Sequence, residues 1–145
     1  MERRNFLKAA AVGAVAAPLA TPALAAGHKT MTIVSTWPRD FPGLGISAQR
    51  LAARITELSD GKIQTEYFAA GERVGAFDSF DEVASGNSQA YIAADYYWLG
   101  KHPGYAYFTT VPFGMTTQEW NAWIKFKGGQ ELWDKIAGEF GLKAL

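Results

Sequence analysis

Apolar and polar positions alternate in short blocks along the middle of this chain. Residues 31–36 (Met-Thr-Ile-Val-Ser-Thr) are compact and β-branched, which predicts a first strand. Two prolines and a glycine in residues 37–43 force a loop after it. Leu44, Ala48, Leu51, Ala52, Ile55 and Leu58 recur at helical spacing, with Gln49, Arg50, Arg54 and Glu57 on other faces. Asp60-Gly61 supplies the stop, because glycine takes the left-handed conformation cheaply at a helix end. Residues 62–68 set Ile63, Thr65 and Tyr67 against Gln64, Glu66 and Phe68, the alternation of a second strand. A loop of small residues, 69–75, leads to Phe77, Phe80, Val83 and Ala84, a short helix that ends at Gly86. Residues 88–94 predict a third strand, which runs into Asp95-Tyr96-Tyr97-Trp98.

The remainder predicts an extended aromatic stretch over 105–113, ended by Pro112 and Gly114. Thr116-Thr117-Gln118-Glu119 is a capping box: the Thr116 oxygen accepts from the Glu119 amide while Glu119 reaches back. Trp120, Trp123 and Ile124 line the helix it opens, and Gly128-Gly129 interrupts that helix. Leu132, Trp133, Ile136, Ala137 and Phe140 continue a helical pattern to Gly141, and residues 142–145 read as the start of a strand. Strand, helix, strand, helix, strand is the order of an α/β fold, an open sheet of mainly parallel strands flanked by helices.

The first 26 residues do not belong to this pattern. Arg3-Arg4-Asn5-Phe6-Leu7-Lys8 precedes a mild Ala-rich apolar run and an Ala23-Leu24-Ala25 cleavage site, the layout of a twin-arginine export signal. The apolar run is too short and too rich in alanine to span a bilayer. The tag implies passage through the twin-arginine translocase and a working place in the periplasm. Residues 27–145 then form one domain, and the 48% hydrophobic and 14% aromatic content of the whole chain is that of a packed globule. There is no cysteine, so the domain relies on its core rather than on disulfides. Without the basic tag the charge is slightly negative, and no basic stripe is present, which argues against a nucleic-acid partner.

In open α/β sheets ligands bind outside the carboxyl ends of the strands. The loops leaving those ends carry Trp37-Pro38-Arg39-Asp40-Phe41, Gly71-Glu72-Arg73-Val74 and Asp95-Tyr96-Tyr97-Trp98. Aromatic rings with polar tips suit a small organic solute. Trp37, Tyr96 and Tyr97 are therefore the candidate ligand-binding residues, weighed against sheet-edge cover for Trp37 and a core role for at least one ring of the third loop. Arg39 and Arg73 fit surface or capping roles better than carboxylate anchoring, and Trp120, Trp123 and Trp133 fit packing. No catalytic or metal-ligating motif occurs, since His28 and His102 stand alone and there is no P-loop, H-E-x-x-H or G-x-S-x-G. An exported enzyme acting on small metabolites, with Asp95 and His102 as its pair, is the alternative reading. A carbohydrate-binding module with aromatic platforms is a third, although such modules are usually all-β.

Several segments together resemble the solute-binding subunits of TRAP (tripartite ATP-independent periplasmic) transporters. They are Ser35-Thr36-Trp37-Pro38 with Phe41-Pro42-Gly43-Leu44-Gly45, Gly71-Glu72-Arg73-Val74 leading to residues 77–86, Ala94-Asp95-Tyr96-Tyr97-Trp98, and Val111-Pro112-Phe113-Gly114-Met115-Thr116 with residues 118–123. They look most like the subgroup that binds 2-oxo acids such as pyruvate, or related hydroxy acids. The resemblance implies a two-lobed periplasmic receptor that closes on an organic carboxylate and hands it to membrane permease subunits driven by an ion gradient. It implies no enzymatic activity. Tyr96 and Tyr97 match the aromatic pair that faces the ligand, and Trp37 matches the loop beside the cleft. Family members run to roughly twice this length or more, as two lobes require. The carboxylate-pairing arginine and the residues that hold a bridging sodium or calcium ion lie beyond position 145 of that pattern. The expectation is thus a first lobe, residues 27–145, with the second lobe missing and an apolar inter-lobe face left exposed.

Overall fold

The structure, a computed structural model, describes residues 28–145. The expected export tag, residues 1–26, lies outside the described residues.

Three parallel strands form the sheet in the order β2-β1-β3: β1 (Lys29–Ser35), β2 (Ile63–Phe68) and β3 (Ala90–Ile92). Ile33 lies between Tyr67 of β2 and Ala90 of β3, and Ser35 is opposite Ile92. The β-branched run of β1 takes the central place, and Thr32, Ile33, Val34 and Ser35 are buried, as expected of a strand covered on both faces. β3 is shorter than its sequence pattern. At its start Gln89 replaces regular pairing, its amide donating to the Thr32 carbonyl while its side-chain oxygen accepts from the Thr32 amide.

Helix α1 (Leu44–Leu58) crosses from β1 to β2. Its contact face is built from Gly45, Ala48 and Ala52, whereas Leu44, Leu51 and Leu58 are exposed. The leucines expected on the core face are displaced because small residues let the helix sit close. A Cβ on Gly45 would lie 2.4 Å from the Pro38 carbonyl oxygen. A 3₁₀ turn (Ala76–Asp78) feeds the short α2 (Ser79–Ala84), which delivers Phe80 to the interior.

Phe80, Trp98 and Tyr105 form the buried aromatic centre, packed by Tyr91, Trp133, Ile136 and Phe140. Tyr105 reaches it from a 3₁₀ turn (Pro103–Tyr107), not from the extended stretch expected over 105–113. Proline at the start of that turn has the helical φ already set, and the His102 Nδ1 accepts from the Gly104 amide to cap it. Aromatic residues look strand-like in sequence, but among the described residues no strand pairs with them.

The capping box is present. Glu119 Oε2 accepts from the Thr116 amide at 2.8 Å and opens α3 (Thr117–Phe126). Gly128, at φ 83°, turns the chain into α4 (Gly129–Gly138). Residues 142–145 do not begin a strand here. The Leu142 amide donates to the Ala137 carbonyl, and the Ala144 carbonyl accepts from the Gln130 side chain, so the end of the chain is tied to α4. Among the described residues no helix is long and apolar enough to cross a membrane.

Candidate functional site

Because all three strands run the same way, their carboxyl ends open on one rim. The ladder continues into the loops there. The Thr36 amide donates to the Ile92 carbonyl at 3.2 Å, and the Trp37 carbonyl accepts from the Ala70 amide at 3.0 Å. The loops after β1, β2 and β3 are therefore neighbours by construction.

Trp37 is half-buried at this rim. Its amide donates to Ser35 Oγ, and its indole Nε1 is buried without a hydrogen-bond partner among the described residues. After β3 the chain makes a four-residue 3₁₀ turn, Asp95–Trp98. The turn alternates in a telling way: Asp95 and Trp98 are buried, Tyr97 is half-buried and Tyr96 is 41% exposed. The Tyr96 and Tyr97 rings meet edge to face at 4.8 Å, and Tyr97 stands edge-on against Phe77 at 5.2 Å. The neighbouring Tyr97 raises the Tyr96 phenol above the ordinary tyrosine value. Thus the structure sets Trp37, Tyr96 and Tyr97 on the same rim and brings the tyrosines into contact. No ring pairing joins Trp37 to either tyrosine among the described residues. Trp98 is the member of the aromatic run that belongs to the core.

The two arginines of the rim are committed elsewhere. Arg39 grips Glu72 through Nε and Nη2, and Arg73 pairs with Glu82 at 2.8 Å. Arg39 also lies over the Tyr67 ring, and Arg73 over the Phe68 ring. The Arg39 guanidinium, helped by the Ala69 amide, brings the Glu72 carboxyl down to about 2, and Arg73 lowers Glu82 in the same way. Both arginines brace loops, in accord with the surface roles expected of them.

Asp95 is buried beside Tyr91 and Tyr105, and its carboxylate accepts from the Trp133 indole at 2.5 Å. Burial raises its pKa to about 6, against the opposing pull of that hydrogen bond. The same burial, with the Asp95 charge nearby, raises Tyr105 to about 12 and lifts Tyr91 as well. His102 gives its Nδ1 to the Gly104 amide. The Asp95–His102 pair of the enzymatic reading is therefore not assembled, since each group is hydrogen-bonded to something else. Two cavities, of about 550 and 720 Å³, lie elsewhere in the fold and have no wall contributed by Trp37, Tyr96 or Tyr97. The larger is lined chiefly by apolar residues of the 104–117 segment and of α3 and α4.

Phe77, at helical spacing with Phe80 and Val83 in the sequence, lies on the 3₁₀ turn before α2, where it is exposed and props Tyr97 from outside. Trp133 was expected to pack only, and it also donates to Asp95. Spacing along the chain carries no signal of either contact.

Residues 33–145 match the profile of the DctP family, described as bacterial extracellular solute-binding protein, family 7. The chain is 31% identical over 150 aligned positions to the monocarboxylate 2-oxoacid-binding periplasmic protein all3028 of Nostoc sp.; the match covers 98% of this chain and 41% of that one. A TRAP periplasmic solute-binding protein from Pseudoalteromonas atlantica, crystallised with sodium and pyruvate, superposes with a TM-score of 0.75 at 36% identity, over 79% of this chain and 35% of its own. One from Colwellia psychrerythraea, with calcium and pyruvate, gives 0.75 at 34% identity over the same shares. The chain thus spans about two fifths of the curated relative and about a third of the solved structures. With most of its length inside the family profile and its parallel sheet superposing on these receptors, the chain belongs to the bacterial extracellular solute-binding proteins of family 7.

Proposed function

We propose that this chain forms one wall of an extracytoplasmic receptor for a small organic carboxylate, a 2-oxo acid such as pyruvate or a related hydroxy acid, serving TRAP-type uptake. The family is one of transporter solute receptors, not enzymes. The observation that carries the reading is the shared rim: three parallel strand ends, with the Tyr96–Tyr97 pair projecting from a turn whose flanking residues are buried. Phenol hydroxyls at such a rim would donate to the carbonyl of a 2-oxo acid, and the aromatic ring faces would contact its methyl group.

The carboxylate itself would be met by an arginine from the opposite jaw of a longer chain, because Arg39 and Arg73 are already paired. Closure of the two jaws would bury the solute, and membrane permease subunits would receive it. The sodium or calcium ion of the pyruvate-bound neighbours would likewise be held elsewhere. Among the described residues no three His, Cys, Asp or Glu side chains come together to hold a metal. Arg3-Arg4 and Ala23-Leu24-Ala25 support export through the twin-arginine translocase to the periplasm.

The test is calorimetry on a hybrid in which this chain is continued by the remaining two thirds of the Pseudoalteromonas protein. Pyruvate, lactate and longer 2-oxo acids would be titrated into it. Saturable heat that is lost when Tyr96 and Tyr97 are both changed to Ala is the expected result. Absence of heat with every organic acid would overturn the reading.

A further inference from the structure

The turn that presents the tyrosines contributes little to its own rigidity. Its backbone offers the Tyr97 amide to the Ala94 carbonyl at 3.1 Å and the Leu99 amide to the Tyr96 carbonyl at 3.4 Å. A single 3₁₀ turn so bonded is a weak element. Its two ends are nevertheless fixed by side chains that reach different parts of the fold. At the start, the buried Asp95 carboxylate accepts from Trp133 on α4, 38 positions away. At the finish, the buried Trp98 indole donates to the Phe77 carbonyl at 3.1 Å, 21 positions back. Between these anchors Tyr96 and Tyr97 stand on the rim, with the Phe77 ring against Tyr97.

A carboxylate is a costly group to place among Tyr91, Tyr105 and Trp133, and an apolar residue would pack there without the desolvation penalty. An oxygen acceptor at the end of a short, stiff side chain does what an apolar residue would not. It sets the distance and direction between the turn and α4.

We propose that Asp95 and Trp98 are positioning residues for the Tyr96–Tyr97 pair, bracing the turn against Trp133 and Phe77 so that both phenols stay at the rim before solute arrives. Bracing of this kind lowers the ordering cost of binding. The ligand-facing role of the tyrosines rests on the function proposed above, whereas the brace is a property of the free chain.

The experiment labels the six tyrosines with 3-fluorotyrosine and follows the ¹⁹F resonances of the free protein. Tyr96 and Tyr97 are assigned through their Phe variants, and Tyr67 on β2 serves as a remote control. Asp95→Ala and Trp133→Phe are expected to shift or broaden the Tyr96 and Tyr97 signals while Tyr67 stays in place. The double variant should do no more than either single change. Asp95→Asn, which still presents an oxygen to the indole, should restore the native positions. Trp98→Phe, which keeps an aromatic side chain but loses the indole donor, should disturb the same two signals, and it tests the brace even if Asp95→Ala does not fold. In the hybrid, Asp95→Ala and Trp133→Phe should weaken pyruvate binding about tenfold, with Asp95→Asn close to wild type. Variants that lower stability yet leave the Tyr96 and Tyr97 resonances unmoved would overturn the inference, whether or not pyruvate binds. Disturbed resonances in a hybrid that binds no organic acid would support the brace and overturn the functional reading alone.

Discussion

Arg39 and Glu72 hold each other by two parallel bonds of 2.6 and 2.5 Å, and so clasp the loop after β1 to the loop after β2. The pair is partly exposed, so solvent screens its energy. Its pH behaviour is still distinct, because the folded Glu72 carboxyl sits at about 2 against an ordinary value of 4.5. A carboxyl lowered by folding contributes stability that is complete above about 4.5 and fades as the pH falls through about 2. Arg39→Met should therefore unfold at a higher pH than wild type in an acid titration followed by circular dichroism. The two curves should converge once Glu72 is protonated in both. Identical acid midpoints would show that the clasp adds nothing to the fold.

Asp95 works in the opposite sense. Burial pushes its carboxyl up to about 6 from an ordinary value of 3.8, so the folded state binds the proton more tightly. Ionisation thus costs stability progressively as the pH rises from 3.8 to about 6, and the whole cost is present above that. Asp95→Asn removes the charge and leaves an oxygen for Trp133. Urea unfolding should show the variant more stable by about 1–3 kcal/mol at neutral pH. The advantage should disappear once the pH is below 3.8. A variant less stable than wild type at neutral pH would mean that the charge is stabilised by more than its hydrogen bond.

Gly45 lies where α1 comes nearest to the loop after β1, with 2.4 Å between a built Cβ and the Pro38 carbonyl oxygen. Gly45→Ala should push α1 outward and destabilise the domain by about 1–3 kcal/mol, read as a lowered thermal midpoint. Gly138, on α4, has open space at the same position. Gly138→Ala should be neutral or stabilising by about 0.5–1 kcal/mol, a control for helix propensity.

As the single wall of a cleft proposed above, this chain would not enclose a solute. On its own this chain is expected to bind pyruvate with a Kd weaker than about 1 mM, seen as small shifts of the Trp37, Tyr96 and Tyr97 signals in a magnetic-resonance titration. Saturation in the micromolar range would show that the rim suffices without a second jaw.

Much of the fold was legible along the chain because it depends on local chemistry. The positions of β1, α1 and β2 follow from periodicity and from Asp60-Gly61, and the capping box at Thr116 and Glu119 is a four-residue motif that closes on itself. Residues 105–113 misled because an aromatic run becomes a strand only beside a partner, while Pro103 and the His102 cap settle the local choice in favour of a turn. The leucines of α1 misled for a related reason: helical spacing identifies a face but not which of two adjacent faces meets the sheet. Of the candidate site, the three rim loops followed from strand order and the residue types followed from their sequence. The exposure of Tyr96, the prop from Phe77 and the commitments of Arg39 and Arg73 did not, as each depends on residues distant in the chain.

By itself the sequence determined the succession of strands and helices from β1 to β3, the capped helix that opens at Thr116, and the aromatic character of the loops at the carboxyl ends of the strands. These depend on backbone conformational preference and on spacing within a few residues. Only the tertiary structure decided that Asp95 meets Trp133, that Trp98 goes inward while Tyr96 stays out, and that the rim's arginines are already paired. Those outcomes are set by which surfaces exclude water together, and burial brings together side chains whose separation along the chain records nothing of their contact.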